Sequence, residues 1–234
     1  MGREKRGSRL VNRNMRKHFK SHEPKTLFLI HLTLIKRAPI MQLELQPMTN
    51  LQIFLRQIRA RSRENKEAMQ LLATARLAGS MSAILRQELD SMVRVIYLLG
   101  QASPRREHLI EAAVKGEKWS KPGLHVRVTD RDMINFSQKL NGWTESVYKF
   151  GCAFIHLSNF HDYANRDPIA QLSAQEQKDM LDHCRYYHGG PSQDHPDFNC
   201  FVPYLPRVFD KISSNLDYYL VSLEEGRSLE QDDL

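Results

Sequence analysis

The sequence predicts an all-α fold, a bundle of five to seven helices with a disordered basic N-terminal extension. Three observations carry that reading. From residue 48 onward, apolar residues recur at spacings of three and four, the period of a helix buried along one side. Caps and stops fall where those patterns begin and end. No strand ladder, internal repeat or Gly-rich phosphate loop interrupts them.

The first helical pattern runs from Asn50 to about Ala78, with Leu51, Leu55 and Ile58 early and Leu71, Leu72 and Leu77 late. Its middle, "RARSRENKEA", is charged all round and is expected in solvent. Gly79-Ser80 reads as a break. A second helix over 81–99 shows a stripe of Leu85, Leu89, Met92, Ile96 and Leu99, closed by Gly100 and Pro104. A shorter helix follows from Pro104 to Val114, with proline suited to its first turn. "KGEKWSKPGLHVRVTD" reads as a loop with a brief extended piece, in which Trp119, like Trp143 further on, anchors the chain to the core.

Asp130 is the expected cap of a helix through Leu140, which Asn141-Gly142 closes. The stretch "VYKFGCAFIHLSNFHDY" (147–163) then reads as one helix. Ser173 and Glu176 form a capping box for the next helix, and Gly189-Gly190 stops it. Pro206 opens the last helix, with Phe209, Ile212, Leu216, Tyr219 and Leu223 inward. The end, 227–234, reads as an acidic, frayed terminus. Residues 48–226 are thus expected to form a single helical domain.

The net charge of +7 is unevenly placed. Residues 1–47 hold eleven Lys/Arg against three acidic residues, which leaves 23 of the 34 basic and 24 of the 27 acidic residues for 48–234. The helical body is therefore near neutral, and any broad phosphate footprint belongs to the extension. "LFLIHLTLI" (27–35) is too short to span a bilayer, and no small-residue cleavage site follows it. Met41 and Met48 offer internal starts, so 1–47 reads either as a native basic arm or as an over-long start. Three cysteines with no CxxC fit a reducing, cytoplasmic setting rather than a disulfide framework.

Chemistry concentrates in two places. Read as a helix, 147–163 has a core stripe of Val147, Phe150, Phe154, Leu157 and His161. Beside it lies a second stripe of Lys149, Cys152, His156 and Asn159. Lys149 and His156 then lie two turns apart on one side, a cation for a phosphate and an imidazole for proton transfer. The alternative is a snorkelling lysine and a histidine satisfied at a helix interface. Cys152, among Phe150, Ala153 and Phe154, reads as a packed thiol.

The second place is "ILRQELDSMVRVIYLL", where Arg86, Asp90, Arg94 and Tyr97 form a polar ladder. That ladder is either a solvated face of weak ion pairs or a buried seam with cationic capacity left for phosphate. "HGGPSQDHPDFNC" reads equally as a glycine-rich active-site loop or a plain connector. His156, His161, Asp162, His183 and His188 are ligand types for a metal-dependent hydrolase. Their five-residue spacings spread about 140° round a helix and cannot readily grip one ion. No metal or cofactor is expected.

The pair "LRQELDSMVRVIYLL" and, downstream, "VYKFGCAFIHLS" resembles the helical HEPN superfamily and its uncharacterised bacterial relatives, over roughly 80–225. The resemblance implies a helical bundle, often dimeric, in a superfamily with many RNA-cleaving toxins or defence proteins. Their metal-independent site is an Arg, four to six residues, then a His. Within 48–234 no Arg precedes a His at that interval, and Lys149 before His156 is the nearest match. Lysine keeps the charge but not the planar fork. The resemblance thus implies His156 as acid/base and Lys149 as phosphate ligand. Arg86, Asp90, Arg94 and His161 are read as a phosphate-binding or polar network. The expected partners are RNA or a nucleotide, and a homodimer or cognate protein, with no membrane. The rival reading is a non-enzymatic interaction or dimerisation protein.

Overall fold

A computed structural model of the chain describes residues 47–123 and 126–229, so all but Pro47 of the predicted basic extension lies outside the described residues. The described residues form an all-α bundle of seven helices of nine residues or more, joined by single-turn pieces. The helices are α1 (Asn50–Ala75), α2 (Ala78–Leu99), α3 (Ser103–Val114), α4 (Asp130–Gln138), α5 (Thr144–Ile155), α6 (Ala174–His188), the one-turn α7 (Phe198–Phe201) and α8 (Leu205–Glu224). The extended piece in the 115–129 loop is one bridge, Ser120 to Arg127.

Helix α2 is the axis of the bundle, packed by α1, α4, α5 and α8. Its predicted stripe is fully buried, and so are Val93, Val95 and Leu98 on other faces. A helix apolar round most of its girth folds only inside a ring of partners. Helix α8 supplies the largest of these with Phe209, Ile212, Leu216, Leu220 and Leu223. The first break falls earlier than Gly79-Ser80. α1 ends at Ala75, and Arg76 turns left-handed (φ 56°) so that its N–H reaches the Leu72 and Ala73 carbonyls. Gly79 and Ser80 lie in the first turn of α2.

The charged middle of α1 is not solvated all round. Ser62 and Asn65 are buried, and both hydrogen-bond the Glu88 carboxylate, which is 0% exposed. At the far end of α2, the buried Arg106 donates to the Leu98, Leu99 and Gln101 carbonyls. The first two are carbonyls of the α2 C-terminus and the third lies just beyond it, and one guanidinium serves all three. The same side chain holds the Arg227 carbonyl at 2.8 Å and the Ser228 hydroxyl at 2.7 Å. Leu229 N–H adds a bond to Leu99 O. Residues 227–229 are therefore fastened beside the end of α2, and the remainder of the predicted frayed terminus, 230–234, lies outside the described residues.

The cap of α4 is Thr129, not Asp130. Thr129 accepts the Asp132 N–H while the Asp132 carboxylate returns to the Thr129 N–H and hydroxyl. Lys121 adds an ion pair at 2.8 Å. The Lys121 bond, then those from Thr129, pull the Asp132 carboxyl down to about 2. A depressed carboxyl stabilises the fold above its unfolded value, near 4, and that contribution is lost as pH falls towards 2. Asp132→Asn is expected to lower the unfolding free energy by about 1 kcal/mol at pH 7. In urea titrations the gap from wild type should close between pH 4 and pH 2.

Candidate functional site

The polar ladder of α2 is a buried seam at one end and half-exposed at the other. Arg86 is 5% exposed; its Nη2 donates to Asp130 Oδ2 at 2.7 Å, and its Nη1 lies 3.8 Å from Asp90. Arg94 bonds Asp90 through Nε at 3.1 Å and reaches Asp130 at 3.5 Å. Arg61, from α1, joins Asp90 at 3.3 Å. Three arginines thus share two aspartates, and α1, α2 and α4 meet in one ion-pair network. Thr129 makes this possible, because by capping α4 it leaves Asp130 free to turn towards α2.

Helix α5 closes the seam. Tyr148 lies over the Arg86 guanidinium at 4.5 Å, with Arg131 5.3 Å from the same ring. A Cβ on Gly151 would come within 2.7 Å of Arg86 Cβ, so only glycine allows α5 this close. Further along, Arg94 stands over Trp119, and Tyr97 stacks on the same indole at 6.0 Å. Trp119 and Trp143 are both buried, as their anchoring role predicts. The Trp119 indole N–H donates to Leu109 O.

Neither histidine of the opening stretch enters this network. Helix α5 stops at Ile155, and His156 is its C-cap residue, in extended conformation (φ −98°, ψ 144°). The two predicted stripes therefore end with the helix. Leu157, placed in the core by period, is 95% exposed. The His156 ring is exposed and makes no hydrogen bond with another described residue. His161 completes the capping box of a single 3-10 turn, its Nδ1 accepting the Ser158 N–H at 3.3 Å, and rests its edge on Phe154 at 5.8 Å. The helical period fails here because Ser158 caps a new turn and bonds Ala153 O, drawing the chain off the α5 axis.

Lys149 stays on α5 but faces carboxylates. Its Nζ lies 3.3 Å from Glu145 and 3.7 Å from Glu176. Together with Asp179 and His183 they line a groove of ≈ 250 Å³ between α5 and α6. Three carboxylates against one ammonium make that groove repel a phosphate. Among the described residues no cluster of three His, Cys, Asp or Glu side chains is set to hold a metal ion.

A second cavity lies between α5, α6 and α8, narrow at ≈ 80 Å³ and lined by aromatic and aliphatic side chains. Leu85 and Cys184 are in its wall, with Trp143, Tyr187 and Tyr204 among its rings. Its polar groups are few. Ser146 Oγ lies 3.4 Å from His183 Nδ1. His188 is held below its ordinary value by burial first, then by Lys211 and Arg207. The Lys211 ammonium sits 4.1 Å from the Tyr187 ring centroid and 5.6 Å from that of Trp143, and no described carboxylate pairs with it. Arg207 stands over Tyr204 at 5.6 Å and donates to His188 O. The "HGGPSQDHPDFNC" loop borders this region as a tethered connector, with Arg185 bonded to the Pro191, Ser192 and Gln193 carbonyls.

No family model, curated protein or solved structure matches this chain. Sequence reasoning missed Lys211, Tyr187 and Trp143 as a unit because they sit on three different elements. The one local signal was Lys211 lying between Val208 and Ile212 on the inward side of α8. The seam is tested by Gly151→Ala, expected to cost about 1–3 kcal/mol through overpacking against Arg86. Equilibrium urea unfolding measures that loss.

Proposed function

We propose that this chain is an RNA- or nucleotide-binding helical bundle that engages a nucleobase at the mouth between α5, α6 and α8. The observation that carries this reading is Lys211, an ammonium set between two aromatic rings with no described carboxylate beside it. Nucleotides pair a flat base with an anionic phosphate, and stacking rings interleaved with cations suit both halves. Tyr186, exposed and packed edge-on to Tyr187, and Arg207 over Tyr204 extend the same chemistry outward. The cavity accepts the edge of one ring, with the remainder of the ligand lying on the outer tyrosines. The HEPN resemblance leads to the same ligand class from a different set of residues.

The reading is one of binding. Lys149 is neutralised by Glu145 and Glu176, and His156 has left the helix that would have aligned it with Lys149. A second reading, a non-enzymatic dimerisation module, draws on Ile155 and Leu157, both exposed on either side of His156.

Fluorescence polarisation with a short labelled single-stranded RNA, and competition by nucleoside monophosphates, tests the proposal on the full chain. Lys211→Gln should weaken binding about tenfold, as should Tyr187→Ala, while both variants keep the wild-type circular dichroism spectrum. Any charge-driven binding by the basic extension is common to both proteins, so the difference between variant and wild type is the readout. Equal binding by wild type and Lys211→Gln, or none by either, overturns the proposal. Stable dimers without RNA binding would favour the second reading. Loss of RNA cleavage in His156→Ala would return catalysis to His156.

A further inference from the structure

The aromatic cavity and the acidic groove between α5 and α6 share a wall. Ser146 and Phe150 of α5 and Met180 and His183 of α6 line both. On α6, Asp179, His183 and Tyr187 follow at spacings of four and so lie on one side of the helix. That side runs from a carboxylate in the groove, through an imidazole in the shared wall, to a ring of the cavity. The His183 and Tyr187 rings are 6.5 Å apart, and the Lys211 ammonium lies 4.1 Å beyond the Tyr187 centroid. Asp179 to Tyr187 covers about 12 Å of helix axis, comparable with a nucleotide from its phosphate to the far edge of its base.

The two ends of this run are opposite in charge. Lys211 and Arg207 stand at the α8 end, whereas Glu145, Glu176 and Asp179 line the groove. Two of those carboxylates are already engaged. Glu145 faces Arg131 and Lys149, each at 3.3 Å. Glu176 accepts the Ser173 N–H at 3.0 Å and its hydroxyl at 2.7 Å, and lies 3.7 Å from Lys149. Asp179 accepts only the Gln175 amide, at 2.7 Å, and pairs with no cation among the described residues. A carboxylate offers about four acceptor sites, so Asp179 has capacity left, one turn from His183.

We propose that Asp179 makes the site selective for a base with an exocyclic amine, cytosine or adenine, over uracil, which rests on the nucleotide reading above. The acidic end repels a phosphate and the Lys211 end attracts it, which fixes the direction of the ligand. The ring edge that enters the cavity then points to the shared wall, with the Asp179 carboxylate just past it. The cytosine amine donates to a carboxylate. Uracil sets a carbonyl at the same place, and two acceptors facing each other leave both without a partner.

Isothermal titration of the full chain with CMP and with UMP tests the proposal. The two ligands carry the same phosphate, so any contribution from the basic extension cancels in their ratio. Wild type should bind CMP about tenfold more tightly than UMP. Asp179→Asn, whose amide both donates and accepts, should bring the two within about twofold of each other while keeping the wild-type circular dichroism spectrum. UMP binding as tightly as CMP to wild type, or a preference that survives Asp179→Asn, overturns the proposal and leaves base binding in place. Binding of neither nucleotide overturns the nucleotide reading itself, and this proposal with it.

Discussion

An arginine removed from water must be matched by charge and hydrogen bonds, or the helix carrying it cannot pack. Arg86 imposes that demand at the centre of this bundle. It brings Asp130 to the start of α4, and so requires Thr129 rather than Asp130 to cap that helix. It draws Tyr148 over its guanidinium and leaves room for nothing larger than glycine at 151. Asp90 then links it to Arg94 and Arg61, so that α1, α2, α4 and α5 share one network.

The remainder of α2 is held by the same logic with other residues. Glu88 pairs with no cation among the described residues and is satisfied by Ser62 and Asn65 of α1. Arg106 closes the helix by taking two of its terminal carbonyls and that of Gln101 just beyond, and by fastening residues 227 and 228 beside them. The apolar stripe supplies most of the driving force, whereas the polar contacts fix which helix lies against which face. A fully apolar α2 would leave that choice open.

Much of the fold was legible because the helical period is local. The stripe of α2, the Ser173–Glu176 box, the Gly189 stop and the inward face of α8 follow from spacing and caps alone. What spacing concealed were polar residues standing in register with core positions. Ile58, Ser62, Asn65 and Met69 keep a four–three–four spacing on α1, and Glu88 sits between Leu85 and Met92 on α2. Their polarity looked like solvent exposure, when the two sets in fact satisfy each other. The opposite error fell at 156–161, where the period continued but Ser158 ended the geometry. The Arg86–Asp90–Arg94 ladder was visible as a ladder, but Asp130 and Tyr148 come from elements separated by loops, and no local pattern joins them. His156 and His161, linked to the ladder only by residue type, lie elsewhere in the structure.

The division of labour follows. The arginine network joins four helices around the buried Arg86, while accessible cations and rings gather at the α6–α8 face. Everything placed at that face depends on α5 being seated against α2 by the Arg86 seam. The direct measurement is a double-mutant cycle on Arg86→Met and Asp130→Asn, read by urea unfolding. The account predicts that the two single losses sum to about 1.5 kcal/mol or more above the loss in the double variant. Strict additivity, with no coupling between the two positions, would contradict it.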